Sequence, residues 1–251
     1  MDTNRIKYRF DDFTHQHYKV LLETAKSHYS FHTFNEESLK MEFRTIFWRH
    51  DVDFSVHEAL NLAKAESEAG VKATYFLLLH SEFYNLFETS VKKMIMQIIG
   101  MGHKIGVHFD PIFYNITSEQ ELEKWLYFEK QILETIFDVK VGVFSFHNPT
   151  PEMLKFDGWS YSGMINTYAK GIKEQIAYCS DSNGHWRFKR LFDVLSIEKP
   201  ERLQVLTHPE WWTEKVMSPK EKVWRCIDKR AEKNKLAYKH DIESHGRSII
   251  D

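Results

Sequence analysis

Two aspartates, Asp51 and Asp53, follow the short apolar run Thr45-Ile-Phe-Trp48 with one residue between them. In extended backbone, side chains two apart project to the same side, so both carboxylates address one region of space. Burying two like charges together is unfavourable unless a cation neutralises one or one keeps its proton. A divalent metal meets that need, because one Asp and two imidazoles make a three-ligand site with a position open for water. For an isolated Asp before Ser55, a helix cap is the simpler reading. For the pair taken together with His108 and His147, metal chemistry is the better one.

Comparable groups end nearly every other apolar run. His50 follows the first run together with the two aspartates, His108 and Asp110 end the run from His103, and His147 and Asn148 follow Val141–Phe146. Asp181 follows Ile176–Cys179, and His208 follows Leu203–Thr207. In a parallel barrel such ends share one face, where active sites are assembled from separate loops. His103 and His108 lie five apart on opposite sides of a strand, so His108 is expected to point inward and His103 to be structural or to support a site residue from behind. His208, ahead of Pro209 and the Trp211-Trp212 pair, reads as a general acid beside a ring-lined groove. Trp186 and Tyr178 are further rings for its walls, although core packing competes for at least two of the four. Asp181 and Arg187 read as substrate contacts at the mouth, against a plain turn at Asn183-Gly184.

The elements that position these groups alternate along the chain. Apolar spacing predicts a helix over 12–27, then a strand at 45–48. Ser55 and Glu58 form a capping-box pattern that opens a helix ending at Gly70. Strands are expected at 72–79, 103–108 and 141–146, with helices over 89–100 and 118–137, and two weaker strands at 176–179 and 203–207. Ser218-Pro-Lys-Glu221 opens a last helix whose Val223, Ile227 and Ala231 are expected to pack on the outside of the domain. Alternation of this kind implies a parallel sheet flanked by helices, open or closed into a barrel.

The 251 residues are 42% hydrophobic and 28% charged, enough for a packed core. A formal charge of −2 without a basic block argues against nucleic-acid binding. No apolar run is long enough to span a membrane and no secretory leader is visible. Cys179 and Cys226 stand far apart, so two free thiols in a reducing cytoplasm are expected. The expected organisation is an N-terminal helical extension, 1–43, and one barrel domain, 44–251.

Arg49-His-Asp-Val-Asp53, Ala73-Thr-Tyr-Phe76, Gly102-His-Lys-Ile-Gly-Val-His108, Ser145-Phe-His-Asn-Pro149 and Leu206-Thr-His-Pro209 occur in the order of the polysaccharide deacetylase family. Over residues 44–212 the chain resembles that family, carbohydrate esterase family four, and in particular its divergent members in bacterial surface-polysaccharide gene clusters. The resemblance implies a distorted (β/α)7-type barrel and metal-dependent removal of an acyl group from an amino sugar. It also implies O-antigen or capsule biosynthesis as the setting, with zinc as the metal and manganese or cobalt as alternatives. The substrate would be nucleotide-linked, lipid-linked or an oligosaccharide. Carried over by position, Asp51 is the base, Asp53 a metal ligand and His108 the first metal histidine. The family's second histidine, four residues on, is replaced by Ile112. His147 is the substitute chosen, because it ends the next strand. Where the family offers an arginine to orient the base, this chain has His147, leaving Arg49, Arg187 or no residue for that task. Two other readings stand beside the deacetylase. One is a catalytically silent carbohydrate-binding relative, motivated by Ile112. The other is a metal-dependent hydrolase of a cyclic amide or ester.

Overall fold

The computed structural model describes residues 3–250. A short helix α1 (Thr3–Lys7) precedes α2 (His15–Lys26) and β1 (Ser30–His32). The alternating body follows: β2 (Thr45–Val52), α3 (Val56–Glu68), β3 (Thr74–Leu78), α4 (Thr89–Gly100), β4 (Lys104–Phe109), α5 (Glu119–Phe137) and β5 (Val143–Phe146). Then come β6 (Ser160–Tyr161), β7 (Met164–Asn166), α6 (Lys170–Gln175), β8 (Ala177–Ser180), α7 (Leu191–Asp193), β9 (Arg202–Thr207) and α8 (Pro219–Ser244).

The sheet runs β6-β7-β5-β4-β3-β2-β9-β8, with β1 added to the first half of β2. All pairings are parallel except the edge hairpin of β6 with β7. The sheet curls far enough for Arg49 on β2 to reach Thr167 Oγ1 at 2.5 Å and the Tyr168 hydroxyl at 3.2 Å, just past β7. No pairing closes β8 onto β6 among the described residues. The result is the expected distorted (β/α) barrel, left open between its edges. No helix is long and apolar enough to cross a membrane among those residues.

Local chemistry explains the boundaries. Thr14, Ser55 and Ser118 each accept a backbone N–H from three residues on, capping α2, α3 and α5. Gly70 (φ 73°) and Gly102 (φ 88°) take the left-handed conformation that ends α3 and α4. Ser218 and Glu221 form a complete capping box on α8, with Pro219 first in the helix. The expected box at Ser55 is only half made, because Glu58 turns its carboxylate to Arg225, His15 and Asn61 instead of the backbone. Charged donors outbid a single amide. α8 also departs from expectation. Ile227 and Ala231 are exposed, and the helix is held by Lys222 Nζ on the Trp211 carbonyl (2.7 Å) and by ion pairs to Glu58 and Glu88. Its apolar positions are too few to form a stripe.

Strand β2 is buried along its whole length and separates two polar worlds. On the helix side, His50 Nε2 lies 2.6 Å from Glu66, which also accepts from the Tyr75 hydroxyl at 2.6 Å and from that of Tyr18. Trp48 Nε1 donates to the Tyr18 oxygen at 2.9 Å. His50 is therefore a core residue and not a member of the strand-end constellation. His103 joins the same layer, between the Ala63 carbonyl (3.0 Å) and the Ala73 amide (3.2 Å), as a structural histidine. α2 lays Tyr18, Leu21, Leu22 and Ala25 into this core, so the N-terminal segment is built into the body.

Burial raises the Glu66 carboxyl, but His50, His103 and Tyr18 outweigh it and hold the group below its ordinary value. That stabilisation is present above the ordinary carboxylate range and is lost as pH falls through the depressed value. Glu66→Ala strands several buried donors at once. It is expected to lower stability by about 3–5 kcal/mol in urea unfolding and to flatten the acid limb of the stability–pH curve.

Candidate active site

The inner side of β2 carries Arg49 and Asp51, and Asp53 follows on the same side just past its end. Asp51 Oδ2 accepts from Arg49 NH2 at 3.2 Å and from Ser145 Oγ at 3.1 Å. Arg49 is completely buried, with its guanidinium over the Phe76 and Tyr168 rings. Of Arg49 and Arg187, the two arginines considered for orienting Asp51, Arg49 is the one that contacts it. Asp51 Oδ1 is buried without a partner.

Asp53, His108 and His147 arrive from β2, β4 and β5. Asp53 Oδ1 lies 3.1 Å from His108 Nε2 and 3.3 Å from His147 Nδ1, and the two nitrogens are 3.1 Å apart. Zinc ligands about 2.0–2.1 Å from an ion at tetrahedral angles would stand about 3.3 Å from one another. The spacing fits. Asp53 Oδ1 is buried and makes no well-directed hydrogen bond, and neither does His108 Nδ1, 3.8 Å from Asp51 Oδ2. Three donor atoms facing each other in this way are placed so that one cation could be shared among them. His147 Nε2 lies 2.9 Å from Asn148 Nδ2, and with that amide turned over its oxygen would accept from Nε2–H and leave Nδ1 free to be a ligand. Asn148 gains this position through a left-handed backbone, φ 41°.

Electrostatics agree with the geometry. Burial opposes ionisation of Asp53, yet His108 and His147 hold its carboxyl well below the usual range. Burial also lowers His147, but Asp53 more than compensates and raises it. Glu210, two residues past His208, is fully buried with both oxygens unpartnered. Its burial and the neighbouring Asp53 push its carboxyl well above the usual range.

Across the cavity stands a second dyad. His208 Nδ1 lies 2.7 Å from Asp181 Oδ1, and Asp181 also accepts from the His208 amide at 3.0 Å and Trp212 Nε1 at 3.0 Å. Burial would depress His208, but Asp181 holds it well above the ordinary imidazole value. Nε2 is left as the nitrogen free of these contacts. Asp51, Asp53, His108, His147 and His208 all line one cavity of about 930 Å³, walled in part by Phe83, Phe113 and Trp211.

Several sequence expectations about the substrate walls change here. Trp211 lines the cavity, but Trp212 is wholly buried, packed tilted or edge-on among Phe13, Tyr18 and Trp186, and touches Asp181 instead. Asp181 is itself fully buried and acts behind His208, so it makes no surface for a ligand. Arg187 is exposed over Phe188, away from the cavity. Trp186 faces Phe13 and Asp12, and Tyr178 does not line the cavity. The mouth loop contributes Ser182 and Asn183 in their place. Ile112 is 59% exposed beyond the turn at Pro111, so that position faces solvent and His147 supplies the third donor. Ser145, Tyr168 and His80, which no spacing in the sequence singles out for chemistry, also stand at the site. His80 sits just past β3, like the other strand-end groups, with Glu129 at 3.0 Å and its ring stacked 3.6 Å from Phe113.

No protein-family model and no curated protein matches the chain. Solved structures with a partial overlap include a mutant of a CE4 family pseudoenzyme from Bacillus anthracis with restored enzymatic activity, at 14% identity and TM-score 0.42, over 78% of this chain. The present chain spans 64% of that neighbour's length. A family 4 acetyl xylan esterase from Clostridium thermocellum in complex with a cobalt ion overlaps at 11% identity and TM-score 0.41, over 74% of this chain and 84% of that one. A mutant of the peptidoglycan deacetylase PdaC from Bacillus subtilis gives 12% identity and TM-score 0.43, over 82% and 98%.

The donor set predicts one divalent ion per chain. At a free concentration of about one hundred times its Kd, zinc is expected to raise stability by about 2.7 kcal/mol. His147→Ala is expected to abolish both the uptake, read by elemental analysis, and the thermal shift.

Proposed function

We propose that this protein is a metal-dependent hydrolase that removes an N-acyl group, acetyl foremost, from an amino sugar. The observation that carries this reading is the convergence of Asp53, His108 and His147 from three strands, beside the arginine-held Asp51. It is supported by the His208–Asp181 dyad on the same cavity. An N₂O donor set of two imidazoles and a carboxylate suits zinc, with manganese or cobalt as alternatives. Such an ion supplies Lewis-acid polarisation of the acyl carbonyl and acidifies water.

The chain's own groups do the rest. Arg49 and Ser145 occupy Asp51 Oδ2, so Oδ1 is the atom left to take a proton from the attacking water. Water oxygen joins the acyl carbon, the C–N bond breaks, and His208 Nε2 gives a proton to the departing amine. The Asp181 carboxyl beside it raises His208 and so favours the protonated form that this step uses. The products are a carboxylate and a free amino sugar. Trp211, Phe83 and Phe113 offer apolar faces for a sugar ring. A silent carbohydrate binder was motivated by Ile112; His147, within reach of Asp53 and His108, favours the enzyme over it. On the sequence resemblance, we place the reaction in bacterial surface-polysaccharide synthesis. The unpaired Cys179 and Cys226 suit a reducing, cytoplasmic compartment.

Acetate release from N-acetylated amino sugars by the zinc-loaded protein, stopped by chelation, is the direct test. Absence of release across amino-sugar and cyclic-amide substrates would sink the reading. Asp51→Asn is expected to lower kcat by about a hundredfold or more with little change in metal content. Asp181→Asn removes the charge that raises His208, so the fraction protonated at neutral pH falls. The alkaline limb of the kcat/KM profile is then expected to move to lower pH, and an unmoved limb would exclude His208 as the acid.

A further inference from the structure

A second cavity, of about 350 Å³, lies beside the catalytic one. Phe54 and Phe83, whose ring centroids are 4.2 Å apart, line both and form the partition between them. Its volume falls in the range of roughly 300–1,000 Å³ typical of small-ligand sites. One wall is α8, which contributes Arg225, Lys229, Arg230 and Lys233, and the floor is apolar, with Tyr84, Val91 and Met94.

Positive charge is in excess here. Glu58 pairs with Arg225, and Glu88 takes both Arg230 and Lys233, which leaves four cations against two carboxylates. Lys229 has no hydrogen bond or ion pair among the described residues. Arg225, Lys229 and Lys233 recur every fourth residue, so their side chains stand about 6 Å apart along one helix face. That spacing suits two successive phosphoryl groups. The first turns of α3 (Val56, His57) and α4 (Ser90, Val91) also border the cavity, and α4 lacks a side-chain cap because Glu88 is turned to α8. Their amides add donors and positive potential to the cationic row. The neighbouring catalytic cavity, by contrast, is furnished with carboxylates and imidazoles and has no lysine or arginine in its lining.

We propose that this basic cavity binds a phosphate or diphosphate group of the substrate, so that the amino sugar reaching the catalytic cavity is attached to an anionic, phosphorylated carrier. The identity of the sugar rests on the deacylase reading given above; the anion site rests on the cavity itself. A nucleoside diphosphate and a prenyl diphosphate share this chemistry and differ only in what lies beyond the phosphates.

Calorimetric titration of the full chain with inorganic pyrophosphate tests the site directly. The wild type is expected to bind, with affinity falling as salt rises. Lys229→Glu is expected to weaken binding by roughly tenfold or more, and Lys229→Ala by less. Because Lys229 has no partner among the described residues, an unchanged melting temperature certifies both variants as folded. No binding by the wild type, or equal binding by Lys229→Glu, overturns the proposal and leaves α8's cations as a solvated, self-paired row. In a second arm, a nucleoside-diphosphate-linked and a short prenyl-diphosphate-linked N-acetyl sugar are compared with the free sugar for KM. A KM at least tenfold lower for one linked form identifies the carrier; equal KM values for all three overturn the substrate assignment. Zinc content on the same samples separates the two readings. Pyrophosphate binding without metal uptake defeats the deacylase, while turnover of a neutral N-acetyl oligosaccharide without pyrophosphate binding defeats only the anion site.

Discussion

Two carboxylates on one side of a buried strand end cannot both be left bare, and the inner architecture follows from how each is neutralised. Asp51 is answered within its own strand by Arg49, two residues back and on the same side. Asp53, past the strand's last hydrogen bonds, has no arginine in reach and faces two imidazoles instead. The guanidinium that serves Asp51 also ties β2 to the segment after β7, so the neutralising group doubles as a strut across the curled sheet. A buried cation with so many partners stiffens the wall on which the reacting groups stand.

The same strand shows how similar residues serve opposite ends. His50, Glu66, Tyr18 and Tyr75 on its helix side form a closed network in which every carboxylate oxygen of Glu66 is satisfied. Asp51 Oδ1, Asp53 Oδ1 and His108 Nδ1 on its inner side are buried and unmatched. Buried polar groups are normally paired, so an unmatched cluster facing a cavity has capacity reserved for something that enters. Satisfaction, more than residue type, distinguishes the structural side from the chemical one.

Charge is also sorted between neighbouring cavities. Acids and imidazoles gather at the strand ends, whereas α8 brings arginines and lysines to the far side of the Phe54–Phe83 pair. An apolar partition between the two slows neutralisation of one set by the other, since neither can cross it without losing hydration. α8 itself is anchored by a buried lysine and by ion pairs, which explains why its sequence lacks an amphipathic stripe.

Much of this was legible in the residues alone. Period-two alternation put Asp51 and Asp53 on one side and set His103 against His108; serines and glycines fixed the helix ends to within a residue or two. These are local properties, governed by backbone geometry, and they need no knowledge of the rest of the chain. Which arginine meets Asp51, which nitrogen completes the donor trio, and which of Trp211 and Trp212 sees the cavity were decided by the tertiary structure. So were the retreat of Asp181 behind His208 and the exposure of Arg187. Each depends on the direction a loop takes after its strand and on the curl that brings distant strands together. Side-chain periodicity stops at the end of a strand, and the chemistry of this protein begins there.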